Sequence, residues 1–324
     1  MNLSLGLSHP GAAGLAAIWV AVAAASVAAV AIAPLAAFVL MISAFGLPHV
    51  LYELRYVDER FSARTPRVAL TVIGILLGVI ALARIGNGAQ IIPSIYFVPL
   101  ELGLGATLAF TGAFFMRENR VLGAVVGIAF ALGAAFAPIA TFLIWAWIHN
   151  LTPMGFVAEI TEGEERKRWL WLLSIAFFVL PAFVATGVFH EAASSAWGDA
   201  LQAVSVFGAD DRPLLSFLPA GSSDLHLFSA AVVAQSMHYV AVIVLLPRLL
   251  ATKQVAPSRT LVPWPSWRVF AGAVAAIATV GFGIYAVSYS DARAAYSVAA
   301  AIHAWVEVPI LLLALGQGFT SSRR

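Results

Sequence analysis

Four histidines, His49, His149, His238 and His303, sit inside long apolar runs of this 324-residue chain. Two of them are followed four residues later by a carboxylate, in Pro48-His49-Val50-Leu51-Tyr52-Glu53 and His303-Ala304-Trp305-Val306-Glu307. That spacing puts both side chains on one face of a helix. Ionisable groups are costly inside a bilayer, so they face a bundle interior or a watery cavity and mark a functional site. Imidazoles grouped with carboxylates are donors for a first-row transition metal. The expected ligands are therefore His49, His149, His238 and His303, with Glu53 and Glu307. Two arrangements stay open: four imidazoles on one ion with the glutamates behind them, or carboxylates bridging two ions as in helical di-iron proteins.

The chain has no cysteine. Thiolate zinc sites, iron–sulfur clusters, disulfides and cysteine nucleophiles are excluded, leaving His, Asp, Glu and Tyr for the chemistry. This donor set suits non-haem iron better than structural zinc, and open positions on iron would let oxygen bind beside a substrate. Walls of Ala, Leu, Val and Phe call for an apolar, lipid-soluble substrate. Around the ligands, Gln235 lies one turn before His238, and Asn150 with Thr152-Pro153 makes a polar break suited to a cavity wall. Tyr52, Tyr239 and Glu101 complete the candidates for the cavity or for support of the ligands. Two other functions use the same residues: haem-based electron transfer with histidine axial ligands, and proton or metal transport. Only one segment offers two histidines, His226 and His238, roughly 18 Å apart at 1.5 Å per residue, which argues for at most one haem.

The elements that must position these groups are membrane helices. The composition is 61% hydrophobic and only 10% charged, against about 25% charged in a soluble domain. The net charge of +2 offers nothing to nucleic acid. Charges, glycines and prolines divide the chain into ten helical segments near 12–33, 35–56, 68–85, 91–116, 121–138, 140–160, 169–188, 223–249, 268–288 and 294–316. Each is about the length needed to span. With both termini cytoplasmic, fifteen of the eighteen Lys and Arg residues fall on the inner side, and only Arg84, Arg212 and Arg293 fall outside. Nine crossings would violate the positive-inside rule in one half of the chain. The expected fold is thus an all-α integral membrane protein, a bundle of about ten transmembrane helices forming one polytopic domain, 1–324. The acidic outer loop 189–222 has apolar pieces that could lie on the membrane as a lid. No charge precedes Glu53, so the first apolar stretch is expected to be retained rather than cleaved. Basic inner loops fit a bacterial inner membrane.

The segment Gly46-Leu47-Pro48-His49-Val50-Leu51-Tyr52-Glu53 resembles the Gly-Leu-Pro-His-x-x-x-Asp signature of the Brp/Blh membrane β-carotene dioxygenases, with Glu in place of Asp. Ile148-His149 is similar to an Ile-His pair in a central helix of that family. The resemblance implies a polytopic bundle with a histidine-ligated iron that cleaves β-carotene with oxygen, and it carries over His49 and His149 as iron ligands. The family's His-Phe-Gly and Ser-x-x-His segments are not found. His238 and His303 are candidates by depth alone.

Overall fold

The computed structural model describes residues 12–115, 120–197, 206–208, 223–252 and 260–320. Among them every regular element is helical, and all ten expected segments contain helix. In chain order these are α1 (Ala12–Ile32), α2 (Pro34–Phe61), α3 (Arg67–Gly88), α4 (Ser94–Phe115), α5 (Arg120–Phe136), α6 (Pro138–His149) and α7 (Thr152–Ile160). Then come α8 (Gly163–Ser174, a π turn Ile175–Val179, and Leu180–Ala185) and α9 (Val188–Trp197). The last three are α10 (Ser223–Val240, a π turn Ala241–Leu245, and Leu246–Thr252), α11 (Trp267–Val287) and α12 (Tyr289–Thr320). Eight of these helical runs are long and apolar enough to cross a bilayer. The other two expected segments are the 17-residue α5 and the broken pair α6–α7.

The helices break where the sequence removes a backbone donor. Pro138 and Pro153 stand at the first turns of α6 and α7, where the missing N–H costs nothing. Pro48, Pro99 and Pro309 lie inside α2, α4 and α12, each within two residues of His49, Glu101 or Glu307. An interior proline takes one rung from the helix ladder and bends the backbone. The second π turn begins three residues after His238, and such turns are frequent at functional sites.

Helix α12 is the hub, packing against α2, α3, α4, α7 and α11. The cytoplasmic ends expected of α2 and α11 are tied by charge. Asp58 accepts the backbone N–H groups of Leu261 and Val262 at 2.8 and 3.0 Å and the Trp264 indole at 2.8 Å. The Arg55 guanidinium pairs with Glu59 and lies 3.8 Å from the centre of the Trp267 ring. Arg60 and Arg64 both reach Glu159 of α7. These partners answer for Arg55 and Arg60, so Glu53 is not held at the interface by either.

At the opposite end α8 turns into α9 at Gly187, whose φ of +84° suits glycine and whose missing side chain leaves room for His226. His226 stacks on His190 with ring centres 5.0 Å apart, and His190 donates to the Ser229 hydroxyl at 2.8 Å. Of the loop expected as a lid, 189–197 belongs to α9, while 198–205 and 209–222 lie outside the described residues, as does His9. Burial, and then the neighbouring His226, hold His190 below the usual histidine range. The unfolded chain therefore binds this proton more readily, and stability rises with pH wherever that is so. We expect the packing of α9 to be intact above about pH 6.5 and to weaken as the pH falls from there towards the lowered native value. Hydrogen exchange of the α9 amides at descending pH reads this, and His190→Gln should flatten the response.

Candidate metal centre

Four helices deliver four imidazoles to one point. His49 comes from α2, His149 from the last residue of α6, His238 from α10 and His303 from α12, and their donor nitrogens all lie within 4.8 Å of one another. His49 Nε2 is 3.1 Å from His303 Nε2, which is itself 3.1 Å from His149 Nε2. Donors about 2.1 Å from one ion are about 3 Å apart at right angles and about 3.4 Å apart in a tetrahedron. Both 3.1 Å spacings fit neighbouring ligands on one cation.

The tautomers point the same way. His49 Nδ1 faces the Phe45 carbonyl at 3.2 Å, and His149 Nδ1 faces Glu307 Oε2 at 2.6 Å. Both acceptors want the proton on Nδ1, which leaves each Nε2 as a bare lone pair turned towards His303. One Nε2–H on His303 can satisfy only one of the two. A cation satisfies all of them. The centre is also buried: His49, His238 and His303 are buried, as are Glu53 and Glu307, and His149 is partly so.

The carboxylates act across the bundle instead of along their own helices. Glu307 of α12 holds His149 of α6, and Thr152 at the start of α7 donates to its other oxygen at 3.0 Å. Glu53 of α2 faces His238 Nε2 of α10 at 3.5 Å, longer than a direct hydrogen bond. His238 Nδ1 lies 3.4 Å from the Asn150 carbonyl. Each His-x-x-x-Glu helix thus brings one imidazole for the centre and one carboxylate for another helix's imidazole. A carboxylate behind a ligating histidine fixes its tautomer, and losing it costs about 10- to 100-fold in metal affinity. Glu307→Gln is accordingly expected to weaken metal binding by about that factor with the helices intact, as read by competition with a chromophoric chelator.

A cavity of about 170 Å³ sits over the imidazoles, lined by His49, His149 and His303 with Glu101, Asn150, Gln235, Tyr239 and Tyr296. Tyr239 stacks on His49 with ring centres 4.0 Å apart. Gln235 donates to its hydroxyl at 2.8 Å, and that hydroxyl is 3.2 Å from that of Tyr296. Gln235 therefore supports Tyr239 and makes no bond to His238. Tyr239 also lines an apolar groove of about 690 Å³ between α1, α2 and α10. Tyr52 is elsewhere, packed on Phe270 and Trp267 of α11. Glu101 is a strut: one oxygen accepts both Arg84 of α3 and the Trp305 indole, each at 2.7 Å. Arg84 was expected at the outer surface, and its side chain instead turns inward to this carboxylate. Tyr296 and Trp305 were not singled out as site residues, and Thr152, expected only as part of a polar break in a cavity wall, bonds Glu307. Tyr296 had a signal, since it lies two turns before His303 on one helix face.

No family model matches this chain, and no curated protein or solved structure matches it either. Fold and site alone define the class: an all-helical bundle of membrane-spanning type with a buried cluster of four histidines able to hold a metal ion. The imidazole centres are 4.7–5.4 Å apart for four of their six pairings, and this mutual packing leaves no slot for a porphyrin.

Proposed function

We propose that the chain is an integral-membrane oxidoreductase holding one non-haem iron on His49, His149, His238 and His303, and that it acts with oxygen on a lipid-soluble substrate. The observation that carries this reading is the convergence of four imidazole nitrogens from four helices, within 4.8 Å of one another, in the interior of a cysteine-free bundle. Ten crossings with both termini cytoplasmic, in a bacterial inner membrane, complete the proposal on the distribution of Lys and Arg. The resemblance of Gly46–Glu53 to the membrane β-carotene dioxygenases points to the same chemistry.

Bound there, iron would supply a site for oxygen next to an apolar substrate. The residues of the chain have distinct tasks. Glu307 and Thr152 orient His149, and Phe45 sets the tautomer of His49. Glu53 offers a buried carboxylate beside His238, placed to serve as a further ligand or to hold a proton. Tyr239 covers His49 and forms the wall between the cavity and the lipid-side groove. An apolar molecule arriving from the membrane would meet Tyr239 before the imidazoles.

The test is elemental analysis and an optical spectrum of protein purified in a neutral detergent and loaded with ferrous iron. Oxygen uptake is then followed with β-carotene and with a total lipid extract. One iron per chain, no Soret band and substrate-dependent uptake support the proposal. A Soret band, or no metal retained after loading, overturns it.

A further inference from the structure

A basic groove of about 780 Å³ opens between the ends of α2, α10 and α11 that are expected to face the cytoplasm. Four guanidiniums line it, those of Arg55, Arg60, Arg248 and Arg268, against the single carboxylate of Glu59. Pairing lowers that excess without removing it. Arg55 holds Glu59 at 2.7 Å, and Arg60 is answered by Glu159 of α7. Arg248 is the available cation. Its Nη1 is enclosed without an acceptor, and Nε and Nη2, on a half-buried side chain, bond to nothing among the described residues. An arginine stays charged under all cellular conditions, so this one calls for a counter-ion.

A helix end adds to the positive potential. Helix α11 begins here at Trp267, and Ser266 before it makes no side-chain cap. The amino end of a helix carries partial positive charge and unpaired N–H groups, and Ser266, Trp267 and Arg268 all line the groove. The rest of the space is not built for a free ion. Ile243, Val244, Pro247 and Leu250 of α10 and Ala271 of α11 make an apolar floor, and about 780 Å³ is far more room than an inorganic anion fills. Tyr52 and Trp267 flank it, and rings of these types settle at the headgroup level of a bilayer. Positive charge at the helix ends with apolar surface along the helix sides complements a lipid, whose anionic head lies at the interface and whose chains lie below it.

We propose that this groove binds one anionic glycerophospholipid, with its phosphate on Arg248 and the start of α11 and its acyl chains along α10 and α11. Guanidiniums take phosphate oxygens through charge-assisted hydrogen bonds, often two at a time. Ile243 and Val244 of the floor belong to the π turn Ala241–Leu245, which starts three residues after His238. The bound lipid therefore packs against the helix that carries one of the four imidazoles. The site itself stands without the metal and does not depend on the oxidoreductase chemistry proposed above.

The test is mass spectrometry of the intact protein released from maltoside micelles, with equal amounts of dioleoyl phosphatidylglycerol and dioleoyl phosphatidylcholine added. The acyl chains are the same, and one head is anionic while the other has no net charge. One phosphatidylglycerol per protein is expected, retained in preference to phosphatidylcholine. Arg248→Gln should weaken that retention about tenfold, the loss of one charge-assisted contact. Ala251→Trp fills the groove and leaves every charge in place. It should abolish retention, and it decides the matter if the first variant folds poorly. Arg120→Gln removes an exposed arginine of α5 outside the groove and should behave as wild type. Equal retention of the two lipids, no lipid retained, retention unchanged in Arg248→Gln or Ala251→Trp, or an equal fall in Arg120→Gln overturns the site. Inorganic phosphate is titrated last, and a groove that takes phosphate and releases the lipid overturns the lipid as its occupant.

Discussion

His303→Ala is expected to leave a folded protein that retains no iron. This imidazole is the one whose Nε2 faces both His49 and His149, so its removal opens the centre on two sides. The remaining nitrogens belong to α2, α6 and α10, and α12 would then present only Glu307, already occupied by His149 and Thr152. Elemental analysis beside wild type decides the matter. His226→Ala is the companion variant. It lies on the same helix as His238 but stacks on His190, and full metal is expected there. Iron retained by His303→Ala at the wild-type level would remove this residue from the ligand set.

Gly105→Ala is expected to be the most damaging single methyl group in the bundle. A side chain at Gly105 of α4 would occupy the space of the Trp305 ring. That ring has nowhere to go: it stacks on Trp145 at 5.2 Å, meets Phe130 edge-on at 5.3 Å and is tethered to Glu101. Overpacking of this kind costs about 1–3 kcal/mol. Trp305 lies between His303 and Glu307, so any shift of α12 that relieves the clash also moves a ligand and a supporting carboxylate. Gly103→Ala, two residues away, meets nothing within 4 Å, and alanine is the better helix former. Thermal midpoints in detergent and metal affinity, taken together, should fall for Gly105→Ala and hold for Gly103→Ala. Similar midpoints for the two variants would mean that the Trp305 seat is not tight.

The sequence announces the metal centre through chemistry that is out of place. A single imidazole in an apolar helix can simply bond its neighbour, but four on four helices at a similar depth, two with a glutamate one turn on, point to a shared site. What counting cannot supply is rotation about each helix axis. It pairs Glu53 with His49 and Glu307 with His303 because they share a helix, whereas packing pairs them across helices with His238 and His149. Rotation also decides Tyr52, which is next to Glu53 in the chain and faces α11. Arg84 illustrates a different limit. Charge counting sorts residues by side of the membrane, but a long arginine near a helix end can reach inward when a buried carboxylate waits for it.

The crossed pairing of imidazoles and carboxylates bears on how the protein is made. His49 and His303, in contact in the finished bundle, are 254 residues apart in the chain. At about 5–20 residues per second, one leaves the ribosome some 10 to 50 seconds before the other. During that interval α2 stands in the bilayer with His49 and Glu53, and the helix that carries His303 does not yet exist. Each half of the chain carries only two of the four imidazoles, and the carboxylate that faces one of them comes from the other half. On the proposed reading, a metal would enter this centre only after insertion of α12, and until then the nascent chain must shelter two polar groups from lipid.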